Sequence, residues 1–277
     1  MPRTSLLLVL LHQTASLRLS WLGINALELH YSAGTRVLVD PILAGPLVFF
    51  DRPGAYRATP RDGGAAAAAR RRVLASPPYD ALLITQGWED HAHPETLEVV
   101  AASRLLKPDA LVVAPPSAAE AVESALGAAT TLRHGESAAR GPLRVEAFPG
   151  ALTGPPWATR QNGLLISHDG EPGLFVEPHG DLGGCSDAFL RGAAPRVDAL
   201  VMPDRSQTLL GYDLVRSSTT ARAARLLEPS AIVPLSNGDV DATGAIAPLI
   251  VTGPAQAYPP GLAEVSAPLG AWVELPA

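Results

Sequence analysis

The chain has 277 residues, 47% hydrophobic and only 17% charged, with a formal net charge of −6 and one cysteine, Cys185. Such a length supports one large domain or two modest ones with a substantial core, and a lone cysteine excludes a disulfide framework and any CxxC zinc or redox site. The acidic balance argues against a nucleic-acid partner, and no run approaches the roughly 20 apolar residues that span a bilayer, so a soluble protein is expected.

Residues 1–15 read as an N-terminal extension. Met1 to Leu27 carries Arg3 and Arg18 but no acidic residue, and its apolar run Leu6–Leu11 ends at His12-Gln13. A secretory signal needs a longer apolar core. A transit-type targeting remnant and a simple extra strand or ragged extension both fit, so the expected location is chloroplast or cytoplasm. Ser16–Trp21 and Ala26–Tyr31 then alternate with period two, as half-buried strands do. Ser32–Thr35 reads as a hairpin turn into the apolar strand Arg36–Val39, closed by Asp40-Pro41.

Asp51 to Pro78 is punctuated by proline and glycine, and Asp62 is placed to cap a helix over Ala65–Leu74. Its first part, Asp51–Arg72, holds six arginines against two aspartates. A solvated loop explains this charge; a lid attracting an anionic substrate or partner is the sharper reading. Further along, strand Ala81–Ile84, helix Pro94–Leu106, strand Leu111–Ala114 and helix Ser117–Leu126 give α/β layering with crossovers. The second half predicts strands Leu143–Ala147, Gly163–Ser167, Leu174–Val176 and Ala199–Met202. Helix Ser218–Leu227 and strand Ala231–Leu235 complete it. Both halves, about 16–131 and 142–277, place strands first and strand–helix units afterwards. That order predicts a pseudo-duplicated four-layer αββα sandwich, two mixed β-sheets with helices outside.

Only one stretch concentrates ligand-type side chains, Thr85-Gln86-Gly87-Trp88-Glu89-Asp90-His91-Ala92-His93-Pro94. It follows a buried strand and precedes a helix opened by proline, and the carboxyl ends of strands are where open α/β sheets build sites. Asp90, His91 and His93 offer oxygen and imidazole donors suited to zinc, iron or manganese. The blander readings make His93 a helix-opening residue and Glu89 a solvated loop charge. Cys185 with His179 nearby could be a nucleophile and its base, although a lone cysteine is more often a small buried hydrophobe. No phosphate loop, dinucleotide fingerprint or serine elbow is present.

Strand–Thr–Gln–Gly–Trp–Glu–Asp–His resembles the strand–Thr–His–x–His–x–Asp–His signature of the metallo-β-lactamase-fold superfamily. Trp21–Asn25 leading to Arg36–Pro41 is similar to that fold's opening strands. Gly150–Pro156 with Asn162-Gly163 resembles its later ligand loop, Leu174–Gly180 the strand ending in a metal-bridging aspartate, and Ile232–Ser236 the strand presenting the last histidine. The Gln-Gly-x-x-Asp-His-x-His-Pro and Glu-Pro-His-Gly forms are most similar to a cyanobacterial and plastid branch, and the likeness covers about Leu17 to Leu249. It implies a single domain over 16–277. It also implies departures. Gln86 and Trp88 stand where the first metal takes histidines, and Gly150–Thr153 supplies none, so no two-metal centre is expected and Trp88 should fill that volume. Ser236 stands in for the last histidine. Asp90, His91 and His179 remain for at most one zinc or iron ion, with His93, Glu177, Asp181 and Cys185 as further donors. The resemblance then implies hydrolysis of an ester, lactone or phosphoester in a small-molecule substrate, with Asp90 orienting the attacking water or taking its proton. The alternative is a catalytically silent relative that binds a ligand or partner, through the arginine-rich segment for instance.

Overall fold

A computed structural model describes residues 17–61, 63–153, 157–235 and 240–276. The expected N-terminal extension, the Asp62 cap, Gly154–Pro156 and Ser236 lie outside the described residues.

The first sheet holds β1 (Arg18–Gly23), β2 (Ala26–His30), β3 (Arg36–Val39), β6 (Tyr79–Leu83), β7 (Leu106–Ala114), β8 (Thr130–Thr131) and β20 (Trp272–Glu274), in the order β20-β1-β2-β3-β6-β7-β8. β20, β1, β2 and β3 run antiparallel, whereas β3, β6, β7 and β8 are parallel. The second sheet holds β9 (Ser137–Arg140), β10 (Leu143–Pro149), β11 (Asn162–His168), β12 (Glu171–Val176), β13 (Ala199–Pro203), β16 (Ala231–Leu235) and β19 (Ala263–Glu264). Here β9 to β12 are antiparallel, and β12, β13, β16 and β19 are parallel. The two sheets therefore share one plan. The place that β9 takes in the second sheet is taken in the first by β20, from the far end of the chain.

Alternation along each strand sorts the apolar residues into three cores. Leu27, Leu29, Ala81 and Leu83 of the first sheet face Leu164, Ile166, Leu174, Val176 and Val201 of the second between the sheets. On the outer face of the first, Leu38, Leu82 and Ile84 pack under Val73 of α1 (Ala65–Leu74), Leu97 and Val100 of α2 (Pro94–Ala102) and Val122 of α3 (Ala119–Leu126). On the outer face of the second, Leu165, Phe175 and Ile232 lie under Leu190 of α4 (Asp187–Ala193) and Ala223 and Leu227 of α5 (Thr220–Leu227). Helix, sheet, sheet, helix is the four-layer sandwich.

Two smaller sheets were not legible in the alternation. One pairs β14 (Arg205–Leu209) with β15 (Tyr212–Val215) and β18 (Ile250–Ala255), and the other pairs β5 (Arg57–Pro60) with β4 (Leu47–Val48) and β17 (Val240–Thr243). Both are largely exposed, so no buried face imposed a pattern. The helix expected over Pro94–Leu106 stops at Ala102, and Leu106 already pairs with Tyr79. Arg104 turns left-handed (φ 50°), and Pro108 falls in the register break of β7, where a missing N–H does no harm. The helix expected from Ser218 begins instead as a 3-10 turn, Ser217–Thr219.

The arginines of Asp51–Arg72 are partly spoken for. Arg61 pairs with Asp241 at 2.8 Å, Arg70 donates to the Gly45 carbonyl at 3.2 Å, and Arg72 reaches Glu28 at 2.8 Å.

A candidate metal centre at the strand ends

β3 is followed by Asp40, whose backbone is left-handed (φ 43°), a cost of about 1–2 kcal/mol for a residue with a Cβ. The turn aims its buried carboxylate at the loop leaving β6. One oxygen accepts the Thr85 N–H at 2.8 Å, and the other accepts the Thr85 hydroxyl at 2.5 Å and His91 Nδ1 at 2.7 Å. The loop then closes on itself, with the His91 and Ala92 N–H groups bonded to the Trp88 carbonyl at 2.9 and 2.8 Å. Gly87 is required here, because a Cβ would lie 2.5 Å from the Ser117 carbonyl oxygen.

From the other sheet, β12 runs into Glu177-Pro178-His179. Gly180 (φ 69°) turns the chain where a Cβ would meet the Arg216 carbonyl oxygen at 2.6 Å, and the Arg216 N–H holds the His179 carbonyl at 2.7 Å. His179 Nδ1 donates to the Leu214 carbonyl at 3.0 Å. Its Nε2 is then the nitrogen turned to the site, 2.9 Å from His91 Nε2. Asp90 Oδ2 is 3.4 Å from the first imidazole and 3.5 Å from the second. Asn25 Nδ2 steadies this carboxylate at 3.1 Å and the Asp90 carbonyl at 3.2 Å. Asn25 follows Ile24, a β-branched residue in the left-handed region (φ 54°).

The structure thus brings Asp90, His91 and His179 together, their ligand atoms all within 4.8 Å of one another. Both Nδ1 atoms are committed as donors, and the two Nε2 atoms and a carboxylate oxygen converge with the Asn25 amide, 3.1 Å from His91 Nε2, donating among them. A cation suits that arrangement. A proton does so on His91: burial opposes the charged ring, but the Asp90 and Asp40 carboxylates outweigh it and push the imidazolium up to about 10. A metal ion fits as well, since ligand atoms at 2.1 Å in tetrahedral geometry sit about 3.4 Å apart.

The remaining expected donors lie elsewhere. His93 opens α2 and bonds Thr96 Oγ1 at 2.9 Å. Glu177 accepts the N–H groups of Asp181 at 2.8 Å and Ala151 at 3.2 Å, and burial pushes its carboxyl up to about 8. Asp181 is clamped by Arg160 at 3.0 Å and Arg216 at 2.9 Å. Cys185 donates to the Pro149 carbonyl at 3.3 Å, and burial pushes its thiol up to about 11, which keeps it from acting as a thiolate. Asp40, Thr85 and Asn25 escaped sequence reasoning as site residues. The available signal was a polar residue closing a buried strand.

Where the resemblance places the first metal's ligands, three uncharged side chains bond one another. Thr153 Oγ1 accepts from Trp88 Nε1 at 2.7 Å and donates to Gln86 Oε1 at 3.3 Å. Trp88 is half-buried, held by a hydrogen bond as well as by packing.

Two mixed sheets layered between helices, with histidines and a carboxylate meeting at the strand ends, define a metallo-β-lactamase-type, hydrolase-like protein. The family model described as a β-lactamase superfamily domain matches residues 18–236, and the chain belongs to that superfamily. Solved structures share the fold. The metallo-β-lactamase fold protein YhfI from Bacillus subtilis is 11% identical, with a TM-score of 0.56 over 94% of this chain and 99% of that one. The isothiocyanate hydrolase from Delia radicum gut bacteria is 16% identical, with a TM-score of 0.54 over 78% and 83%. CmlA, a diiron β-hydroxylase from Streptomyces venezuelae, is 17% identical with a TM-score of 0.56 over 81% of this chain and 45% of its own. No curated protein matches the sequence.

Proposed function

We propose that this chain is a hydrolase with a single-metal site held by Asp90, His91 and His179, acting on an ester, lactone or phosphoester bond of a small molecule. The observation that carries this reading is the convergence of two imidazole Nε2 atoms and one carboxylate oxygen within 3.5 Å. Bound there, zinc or iron would supply a Lewis acid and an acidified water. The protein's own part begins with His91, fixed in one tautomer by Asp40, as second-layer carboxylates fix metal-binding histidines. Leu214 does the same for His179. Asp90 and His179 keep 14% and 10% of their side chains exposed, whereas His91 keeps none, so substrate would approach on the Asp90–His179 side. Burial works against the Asp90 carboxylate, but His91 and His179 outweigh it and hold it ionised, ready to orient a water.

One observation favours a second reading, a silent relative that binds without turnover. With a proton on His91 Nε2, the chain Asp40–His91–His179–Leu214 is a complete hydrogen-bonded relay. Elemental analysis separates the two. Protein purified without added metal, then dialysed against zinc or iron(II), should hold about one equivalent. Two tightly held equivalents would overturn the single-metal reading, and none would leave the silent one.

A further inference from the structure

Phe50 is 57% exposed, an unfavourable setting for a large apolar ring, and its backbone adopts the left-handed region (φ 60°). Asp51 after it does the same (φ 52°). Two consecutive side-chain-bearing residues in that region are strained, and such strain persists only where the surroundings enforce it. Here the Phe50 N–H is pinned by the Glu89 carboxylate at 2.9 Å. The result is a continuous aromatic surface. Phe50 meets Trp88 edge-on with centroids 6.1 Å apart, Phe49 lies 6.0 Å from Phe50, and Tyr56 lies 5.5 Å from Phe49. Phe49, Tyr56 and Trp88 are each only partly buried. One end of this surface is Trp88, two residues before Asp90 on the same closed turn. Tyr56 also lies within reach of the Asp90 charge, which adds to burial in raising its phenol.

We propose that Phe49, Phe50, Tyr56 and Trp88 form a recognition wall for an aryl group of the substrate, so that the site selects neutral aryl-bearing esters or lactones over phosphoesters. This rests on the hydrolase reading above and names its substrate class. Rings presented edge and face at these spacings suit another aromatic ring. The rings of the wall carry no charge, Glu89 and Asp90 sit on the turn beside them, and the guanidinium of Arg216 is tied to Asp181 at 2.9 Å and Asp213 at 3.1 Å. The exposed Arg52 and Arg57 beside the wall are the competing draw for an anion, which comparison with phenyl phosphate tests.

Phenylacetamide and acetamide, uncharged amides that mimic the ester and resist hydrolysis, test the wall by calorimetric titration of metal-free and metal-loaded protein. The phenyl compound should bind roughly tenfold tighter in both forms. Phe50→Ala should remove about fivefold of that preference, whereas Phe189→Ala, another exposed phenylalanine on α4, should remove none. With loaded enzyme, γ-phenyl-γ-butyrolactone should be hydrolysed in preference to γ-butyrolactone, and Phe50→Ala should narrow the gap through KM. Equal binding of the two amides, or Phe50→Ala indistinguishable from the parent, would overturn the wall. Phenyl phosphate binding more tightly than phenylacetamide would overturn the neutral substrate class. Failure to take up metal, with the amide contrast intact in metal-free protein, would sink the hydrolase reading alone.

Discussion

Two buried charged clusters, one on the first sheet and one where the two sheets meet, obey opposite rules. In the first, the Glu28 carboxylate accepts from Tyr79 at 2.5 Å, Arg72 at 2.8 Å and Arg36 at 3.3 Å, and His30 Nε2, itself 3.0 Å from Arg36 Nε, lies 3.0 Å from it. Both carboxylate oxygens meet a donor. Burial works against that charge, yet the hydrogen bonds of His30, Tyr79 and Arg72 hold the carboxyl down at about 2. In the second, the Nε2 atoms of His91 and His179 and the Asp90 carboxylate face one another with the Asn25 amide donating among them, an arrangement that suits a cation. A satisfied network stabilises one conformation, whereas a cluster that suits a cation has room for a ligand's charge. Burial alone distinguishes neither, since Glu28 and His91 are both fully enclosed.

The contrast breaks most sharply at His91. His91→Ala should abolish metal uptake with the circular dichroism spectrum retained, although the melting transition should fall because the buried Asp40 carboxylate loses its partner, and retained metal would move the site away from these residues. Glu28→Gln should lose stability without touching metal uptake. Leaving Arg72 and Arg36 facing a neutral amide should cost about 3 kcal/mol in denaturant titration, with metal stoichiometry unchanged. A smaller effect is expected one layer behind the ligands. Asp40→Asn should weaken metal binding about 10- to 100-fold, because the tautomer of His91 is no longer fixed; competition with a chelator measures it.

Acid titration sharpens the same comparison. The Glu28 carboxyl is lowered in the folded chain, so its stabilisation is present above the unfolded value near 4.5 and is lost as pH falls toward about 2. Unfolding free energy should decline across that window in the parent and decline less in Glu28→Gln. A parallel decline in both would remove Glu28 from the account. The mildest expected change is Thr153→Val, which deprives Trp88 Nε1 of its acceptor and Gln86 of its donor. About 1 kcal/mol of stability should be lost, without a change in metal stoichiometry.

Much of the fold was legible in the chain because alternation has a direct physical cause. β3 and β16 were delimited to the residue, since apolar faces must be buried and their pattern reports the element, and α1 over Ala65–Leu74 was placed by the helix-start signal at Asp62. Elements without a buried face, such as β14, β15 and β18, left no such trace. Asp90 and His91 stood out by density of donors after a buried strand, and His179 entered through the resemblance.

The sequence by itself determined the layered architecture, the superfamily and the loss of histidines at positions 86 and 88. Those are properties of residue type and order, which hydrophobic burial and ligand chemistry read directly. Only the tertiary structure decided that His179 meets His91 at 2.9 Å from the other sheet, that Asp40 and Leu214 bond the two Nδ1 atoms, and that Glu177, Asp181 and Cys185 make their hydrogen bonds and ion pairs outside that three-residue cluster. It also decided that Gln86, Trp88 and Thr153 close on one another. The reason is range. A pattern along the chain reports which face is buried, while a hydrogen bond between residues 88 positions apart depends on how two sheets are packed and on left-handed turns at Ile24, Asp40 and Gly180 that no periodicity encodes.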